Sequence, residues 1–369
     1  MTDKDWPTGV YPARLIEKLA GTGAIATERP FDADQVQPAS LDLRLGEIAY
    51  RVRSSFLPGP DRSVADRIQA LTLHEIPLKG GAVLERGCVY IVPLQEELAL
   101  PSDVSASANP KSSTGRLDVF TRVICDRARG FDQLPAGYTG PLYLEISPRT
   151  FPVLVRTGSR LSQMRFRSGE TSLTPAEHKA LHEKETLVFN ANQDVGNGVA
   201  LSIDLLGEKR NGLVGFRSKR HTAVVDVDKK GALDVLDFWE PITDRGDGEL
   251  ILDPDEFYIL VSHEAVHVPP DHAAEMVPFD PLVGEFRVHY AGFFDPGFGH
   301  SAAGGTGSRA VLEVRSREVP FLLNHGQTIG RLIYERLAER PERLYGSALG
   351  SNYQAQSLKL SKHFKPYPG

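Results

Sequence analysis

Hydrophobic residues along the chain fall in short runs rather than in long stripes at helical spacing. Val89-Tyr90-Ile91-Val92, Phe257-Tyr258-Ile259-Leu260-Val261 and Phe321-Leu322-Leu323 are β-branched, aromatic or aliphatic runs, punctuated by Gly, Pro and Asp. Runs of that length with that punctuation predict strands of a sandwich or barrel. Two helices stand out. Leu15, Ile16 and Leu19 share one face before Gly21, and a polar stretch from Pro175 through Glu183 has helical composition without an apolar stripe.

The pattern repeats. Leu144-Glu145-Ile146 matches Leu312-Glu313-Val314 at 313 − 145 = 168 residues. Tyr90-Ile91-Val92 and Tyr258-Ile259-Leu260 share that register, as do Pro101 and Pro269, Asp103 and Asp271, Pro152 and Pro320, and Gly158 and Gly326. Ser40-Leu41-Asp42-Leu43 echoes Ser202-Ile203-Asp204-Leu205 at 202 − 40 = 162, so the second copy carries about six extra residues between these blocks. The reading is a mainly β chain of two homologous units. The first spans 1–170 with its N-terminal helix, 171–194 is a linker, 195–340 is the second unit and 341–369 is a tail.

Composition narrows the function classes. Gly (34) and Pro (26) together make about 16% of 369 residues, above the roughly 12% of average proteins, which suits a turn-rich β chain. A net charge of −6 argues against a surface that binds polymeric nucleic acid and leaves room for an anionic ligand only in a locally basic pocket. No apolar run approaches the roughly 18 residues of a membrane span, and Met1 through Pro7 shows no leader pattern. The only two cysteines, Cys88 and Cys125, suit a reducing compartment, so a cytoplasmic protein is expected.

Several motifs have a plain structural reading. His263-Glu264-Ala265-Val266-His267 fits H-E-x-x-H, but a strand-like run precedes it, Pro269-Pro270 follows, and metal chemistry at that spacing needs a helix. Gly297-Phe298-Gly299 imitates a dinucleotide-binding turn, yet Gly304-Gly305-Thr306-Gly307 suits a flexible loop between strands better than a helix. His178 and His182 read as a solvated helix face. Asn109-Pro110-Lys111-Ser112-Ser113-Thr114-Gly115-Arg116 is different, because it gathers two cations and three hydroxyls in eight residues of an acidic protein. Such a loop offers charge-assisted hydrogen bonds to a phosphate chain. Gly137-Tyr138-Thr139-Gly140 and the strand glutamate Glu145 follow it.

In this order the residues resemble the dCTP deaminases of the dUTPase-like superfamily. The family pattern is a basic-Ser-Ser loop closing in arginine, a hairpin with Asp and Gly-aromatic-x-Gly, and a strand ending in Leu-Glu. Lys111 stands where the family usually has arginine, and Phe131-Asp132-Gln133-Leu134-Pro135-Ala136 departs from its Asp-Pro-Gly hairpin. The second copy keeps that hairpin as Asp295-Pro296-Gly297-Phe298, with Val311-Leu312-Glu313 beyond it. It has lost the loop, since Lys111-Ser112-Ser113 becomes Phe279-Asp280-Pro281 and Arg116 becomes Gly284. Tyr345 and Asn352-Tyr353-Gln354-Ala355-Gln356 resemble the family's tail, which folds over the nucleotide.

The resemblance implies hydrolysis of dCTP to dUTP and ammonia on a distorted β-barrel or jelly-roll fold, in a homo-oligomer, with Mg²⁺ accompanying the triphosphate and no zinc. It casts Glu313, Ser112 and Glu145 as catalytic. Lys111, Ser113, Arg116, Asp132, Tyr138, Asp295, Tyr345 and Gln356 are the substrate-binding candidates. The chain lacks the C-x-x-C of zinc deaminases, so a strand glutamate is expected to move the protons. The better-kept hairpin favours Glu313 over Glu145, with the phosphates on the first copy. A dUTPase or bifunctional enzyme using Asp132 or Asp295, and a non-catalytic nucleotide binder, remain as alternatives.

Overall fold

In a computed structural model of the chain, which describes residues 6–189, 195–278, 287–289, 292–316, 318–346 and 357–368, the short apolar runs are strands. They gather into two units. The first contains Met1–Thr171, Ala223–Ala232 and Leu337–Glu342, and the second Ser172–Thr222, Leu233–Arg336 and Arg343–Gly369.

In the first unit, one antiparallel sheet runs in the order Gln133–Leu134, Val104–Pro110, Arg160–Ser168, Ser40–Arg44, Val36–Gln37. A second runs Val119–Cys125, Thr139–Pro148, Val89–Ala99, Ile48–Val52, Thr72–Pro77. A small ribbon, Ala82–Leu84 with Val153–Val155, gains a parallel third strand, Val225–Asp226. In the second unit the corresponding sheets run Val199–Ser202, Thr328–Arg336, His272–Pro278, Phe293–Phe294 and Trp239–Thr243, Leu213–Ser218, Phe257–Val266, Ser308–Arg315, Arg287–His289. The 168-residue offset survives in three dimensions: 272 − 104, 328 − 160 and 257 − 89 all equal 168 at the starts of matching strands. The chain is therefore two mainly β units built on one repeated pattern.

Helices are few and short. Ala13–Gly21 buries Leu15, Ile16 and Leu19, the stripe its sequence predicts. Val64–Leu71 has no long apolar stripe and starts at a capping box in which Ser63 and Asp66 satisfy each other's backbone N–H groups. Pro175–Lys184 has the same device in Thr174 and Glu177, with Pro175 in its first turn.

That last helix corrects two expectations. The stretch read as a linker belongs to the second unit, because Leu173, Leu181, Leu187 and Val188 join its core. His178 is not on a solvated face but is 2% exposed. Its Nδ1 lies 3.2 Å from the Thr174 carbonyl, and its Nε2 accepts the Tyr334 N–H at 3.2 Å. The imidazole thus ties the helix to strand Thr328–Arg336 only while it is neutral with its proton on Nδ1. Sequence periodicity misses this because the partner is a backbone group 156 residues away. His182, by contrast, is partly exposed and accepts the Leu187 N–H at 3.2 Å.

Burial lowers the proton affinity of His178 below its ordinary value. Its stabilising contribution is therefore present above the unfolded-state pKa of about 6.5 and is lost as pH falls through that value toward the folded one. Thermal melts between pH 7.5 and pH 5 are expected to show a falling midpoint. His178→Ala should lower stability by about 1–3 kcal/mol at pH 7.5, the cost of orphaning a buried backbone donor, and should flatten part of the pH dependence.

Candidate active site

The Lys-Ser-Ser-Arg segment of the first unit is a strand end followed by one helical turn. Strand Val104–Pro110 passes into Ser112–Gly115, whose turn closes when the Thr114 and Gly115 N–H groups donate to the Lys111 carbonyl at 2.8 and 3.0 Å. The Lys111 N–H donates to the Leu161 carbonyl at 3.0 Å, and the Ser162 hydroxyl to that of Asn109 at 2.9 Å. These bonds fix the entry to the turn on the neighbouring strand. Lys111 and Ser112 are partly exposed, whereas Ser113 and Arg116 are buried. Of the three loop residues expected to meet phosphate, Lys111 therefore reaches solvent, as does the expected catalytic Ser112, while Ser113 and Arg116 lie beneath.

Lys111 is held by an acid that the search for chemistry passed over. Its ammonium is paired with Asp42, 1% exposed in strand Ser40–Arg44, and Arg160 Nη1 approaches the same carboxylate oxygen at 3.5 Å. Arg160 also pairs with Asp34 at 2.9 Å. A buried carboxylate requires such company. The sequence signal was present: Asp42 and Asp204 are the polar residues flanked by apolar ones in the two repeated blocks.

Glu145 lies opposite Arg122 where strands Val119–Cys125 and Thr139–Pro148 pair. Its Oε1 accepts from Arg122 Nη2 at 2.6 Å and Nε at 3.0 Å, while Nη2 also donates to the Ser55 hydroxyl at 2.8 Å. The guanidinium lies 3.5 Å from the centroid of Phe131 and 4.7 Å from that of Phe120, cation–π contacts that hold it in place. Glu145 Oε2 is buried without a hydrogen-bond partner among the described residues. Arg122 was not among the expected site residues, since only the strand register reveals it.

Asp132 sits in the left-handed region at φ 62, with its carboxylate accepting the Val123 N–H at 2.7 Å. Tyr138 donates its hydroxyl to the Pro141 carbonyl at 2.7 Å and accepts the Asp126 N–H at 3.3 Å. Burial raises the proton affinity of that phenol. Both side chains are thereby engaged in shaping the loops on which they lie.

In the second unit Glu313 is buried in strand Ser308–Arg315, opposite Ile259 on one side and His289 on the other. Asp295 is also buried and opens a turn closed by Phe298 N–H to its carbonyl at 3.1 Å. Tyr345 meets that turn: its N–H donates to the Pro296 carbonyl at 2.8 Å, and its ring lies 5.8 Å from Phe298. Gly297, at φ +93, permits this approach, because a Cβ there would come within 2.8 Å of Leu344 Cβ. Gln356 and Phe279-Asp280-Pro281 lie outside the described residues.

The motifs with a plain structural reading are built as structure. His263 and His267 lie on and just beyond strand Phe257–Val266, so helical spacing does not bring them together. Glu264 accepts the Ser202 N–H at 2.8 Å and its hydroxyl at 2.6 Å. Its repeat counterpart Glu96 (264 − 168) is likewise buried, accepting from Arg44 and Gln35 at 2.8 Å each. The Gly297–Gly307 stretch joins two strands through the 3₁₀ turn Ser301–Ala303. It is close-packed, since a Cβ on Gly299 would lie 2.4 Å from the Val266 carbonyl oxygen.

The model of the 2'-deoxycytidine 5'-triphosphate deaminase N-terminal domain matches residues 7–170, and that of its C-terminal domain matches 174–364. The chain belongs to the dCTP deaminase family. A solved 2'-deoxycytidine 5'-triphosphate deaminase from Agrobacterium tumefaciens is 68% identical with a TM-score of 0.87, over 90% of this chain and 100% of that one. The "dCTP deaminase, dUMP-forming" of Beutenbergia cavernae is 31% identical over 154 residues, 42% of this chain and 76% of the relative. The dCTP deaminase of Haloarcula marismortui is 32% identical over 153 residues, 39% of this chain and 72% of that protein. These relatives match about two fifths of the chain, the extent of one repeat.

Lys111 carries the accessible charge of the family's loop while its backbone is held independently of its side chain. Lys111→Ala is expected to weaken triphosphate affinity by about tenfold, the order of one charge-assisted bond, and to lower the melting midpoint as well, because buried Asp42 loses one of its two cations. Calorimetric titration beside a thermal melt checks both.

Proposed function

We propose that the chain deaminates dCTP hydrolytically, releasing dUTP and ammonia. The observation that carries this reading is the match of both family domains along nearly the whole chain, with the solved Agrobacterium tumefaciens deaminase 68% identical. The basic, hydroxyl-rich turn at Lys111–Arg116 supports it, since it offers the donors a triphosphate requires.

In this reading Lys111, Ser113 and Arg116 hold phosphate oxygens and Ser112 orients the attacking water or the base. Asp132 and Tyr138 shape the loops of the first unit beside that turn, and Asp295 and Tyr345 shape the corresponding hairpin of the second. Mg²⁺ arrives as part of the substrate, bound by the phosphates. Buried Asp42 is committed to Lys111 and Arg160, and the turn offers donors, not carboxylates. Water adds to C4 of cytosine as a glutamate takes its proton. That proton goes to N3, and a second transfer lets the C4 amine leave as ammonia. Position and preorganised charge, rather than a zinc-activated hydroxide, supply the acceleration.

Glu313 is the proposed proton carrier. It lies in the copy that keeps the Asp295-Pro296-Gly297-Phe298 hairpin of the family, whereas Glu145 is paired with Arg122. A dUMP-forming variant of the reaction is the second reading, favoured by the name of the Beutenbergia cavernae relative. It needs a free aspartate to activate water at the α-phosphate, and Asp132 is engaged at Val123. The enzyme works on free nucleotide in the cytoplasm, as a homo-oligomer, without binding polymeric nucleic acid or membrane.

Incubation with dCTP and Mg²⁺ should yield ammonia and dUTP in equal amounts with no pyrophosphate. Glu313→Gln should reduce kcat at least about 100-fold, the range of lost acid–base catalysis, while Glu145→Gln stays within about tenfold. Circular dichroism confirms that both fold. An inactive Glu145→Gln beside an active Glu313→Gln would transfer the role to the first unit, and pyrophosphate release would establish the dUMP-forming reaction.

A further inference from the structure

The second unit contains a charged cluster that deamination leaves unused. Asp204 follows strand Val199–Ser202, His263 lies on strand Phe257–Val266 and His325 follows strand Phe321–Asn324. One potential ligand atom from each lies within 4.8 Å of the others, and the two imidazoles meet edge-on with centroids 5.1 Å apart. At first sight this is a cation site.

The hydrogen bonds argue otherwise. Asp204 Oδ1 accepts the Leu206 and Gly207 N–H groups at 3.1 and 3.2 Å. Its Oδ2 accepts from Arg210 Nη2 at 3.0 Å and from Arg309. A cation would have to displace these donors and sit beside two guanidinium charges. His325 Nδ1 accepts the Leu205 N–H at 3.2 Å, so its ring proton is on Nε2 and that nitrogen is a donor. Arg210 Nη1 is buried without a partner among the described residues, on a side chain only 9% exposed. One carboxylate faces two guanidiniums, and Arg210 Nη1 and His325 Nε2 remain as donors. His263 is exposed, which opens the cluster to solvent.

The repeat supplies the second half of the argument. Asp204 stands in the block equivalent to that of Asp42, and each carboxylate is met by two cations: Lys111 and Arg160 in the first unit, Arg210 and Arg309 in the second. In the first unit one of those cations opens the phosphate-type turn. In the second, different positions restore the same charge arrangement and two imidazoles join it.

We propose that Arg210, Arg309, His263 and His325, organised by Asp204, form a second anion site that takes phosphate oxygens, whether of a nucleotide or of free pyrophosphate. This goes beyond the deaminase reading and does not depend on it, because binding is measured without turnover.

The test is calorimetric titration of the full chain with pyrophosphate, with dUTP and with deoxyuridine. Two classes of site are expected for the parent with pyrophosphate or dUTP, and none in the second unit for deoxyuridine. His263→Ala combined with His325→Gln should weaken one class by at least about tenfold and leave kcat and KM for dCTP unchanged. Lys111→Ala should weaken the other class alone. Binding of dUTP without pyrophosphate binding at the histidine-dependent class would show that the base, not the phosphate, is recognised and would overturn the proposal. A single class insensitive to the histidine pair would overturn it too, as would Zn²⁺ binding abolished by that pair with no phosphate effect. If dCTP is not deaminated but the histidine-dependent class persists, the site stands and only the reaction assignment fails.

Discussion

A carboxylate buried in a β-sheet with two cations drawn onto it is the constraint around which each unit is organised. Taking such a group from water costs several kcal/mol unless hydrogen bonds and opposite charge replace its hydration. Asp42 meets that demand with Arg160 from the neighbouring strand and Lys111 from the end of the strand beyond it. The side chain that opens the phosphate-type turn is thereby registered against the sheet. Asp204 meets the same demand with Arg210, Arg309 and two backbone N–H groups. Burial alone would raise its pKa, but the Gly207 N–H and the two arginines more than offset it and bring the value to about 2. It therefore remains charged throughout the pH range in which proteins of this kind fold, and its arginines remain committed.

Duplication has treated fold and chemistry differently. Glu96 and Glu264 hold equivalent places and both remain buried and hydrogen-bonded, although one lies in Gln-Glu-Glu and the other in a sequence that imitates a metalloprotease. Their neighbours drifted because only the carboxylate was needed. The phosphate-type turn, by contrast, is legible in one copy alone, and the Asp-Pro-Gly-aromatic hairpin is kept only in the other. A change in a strand glutamate undermines a whole sheet. A change in a loop residue affects only its ligand.

How much of this could be read from the residues depends on distance along the chain. The strands, the repeat and the Ala13–Gly21 helix follow from local runs, and matching strand starts kept the 168-residue register. Lys111 and Ser112 were legible because loop chemistry is contiguous. Arg122 and Arg160 were not, since their roles arise from strand register or from partners tens of residues away, and Asp42 was marked only by its place in the repeated block. His178 was misjudged for the same reason: a polar helix without an apolar stripe still buries one imidazole when a backbone N–H on a distant strand donates to it.

The short strand Val225–Asp226 has a consequence for where the two copies can be cut apart. It pairs in parallel with Val153–Val155, and Arg156 is clamped by Asp226 at 2.7 Å and by Asp228 at 3.1 Å. Hydrogen bonds from that arginine are the main reason the Asp226 pKa falls to about 2. The first unit is thus completed by residues encoded more than fifty positions beyond its own repeat. A chain cut near residue 171 would expose an unpaired edge and leave Arg156 without either of these carboxylates. The first unit can therefore not be excised at the end of its own repeat without losing a strand and the carboxylates that neutralise its arginine.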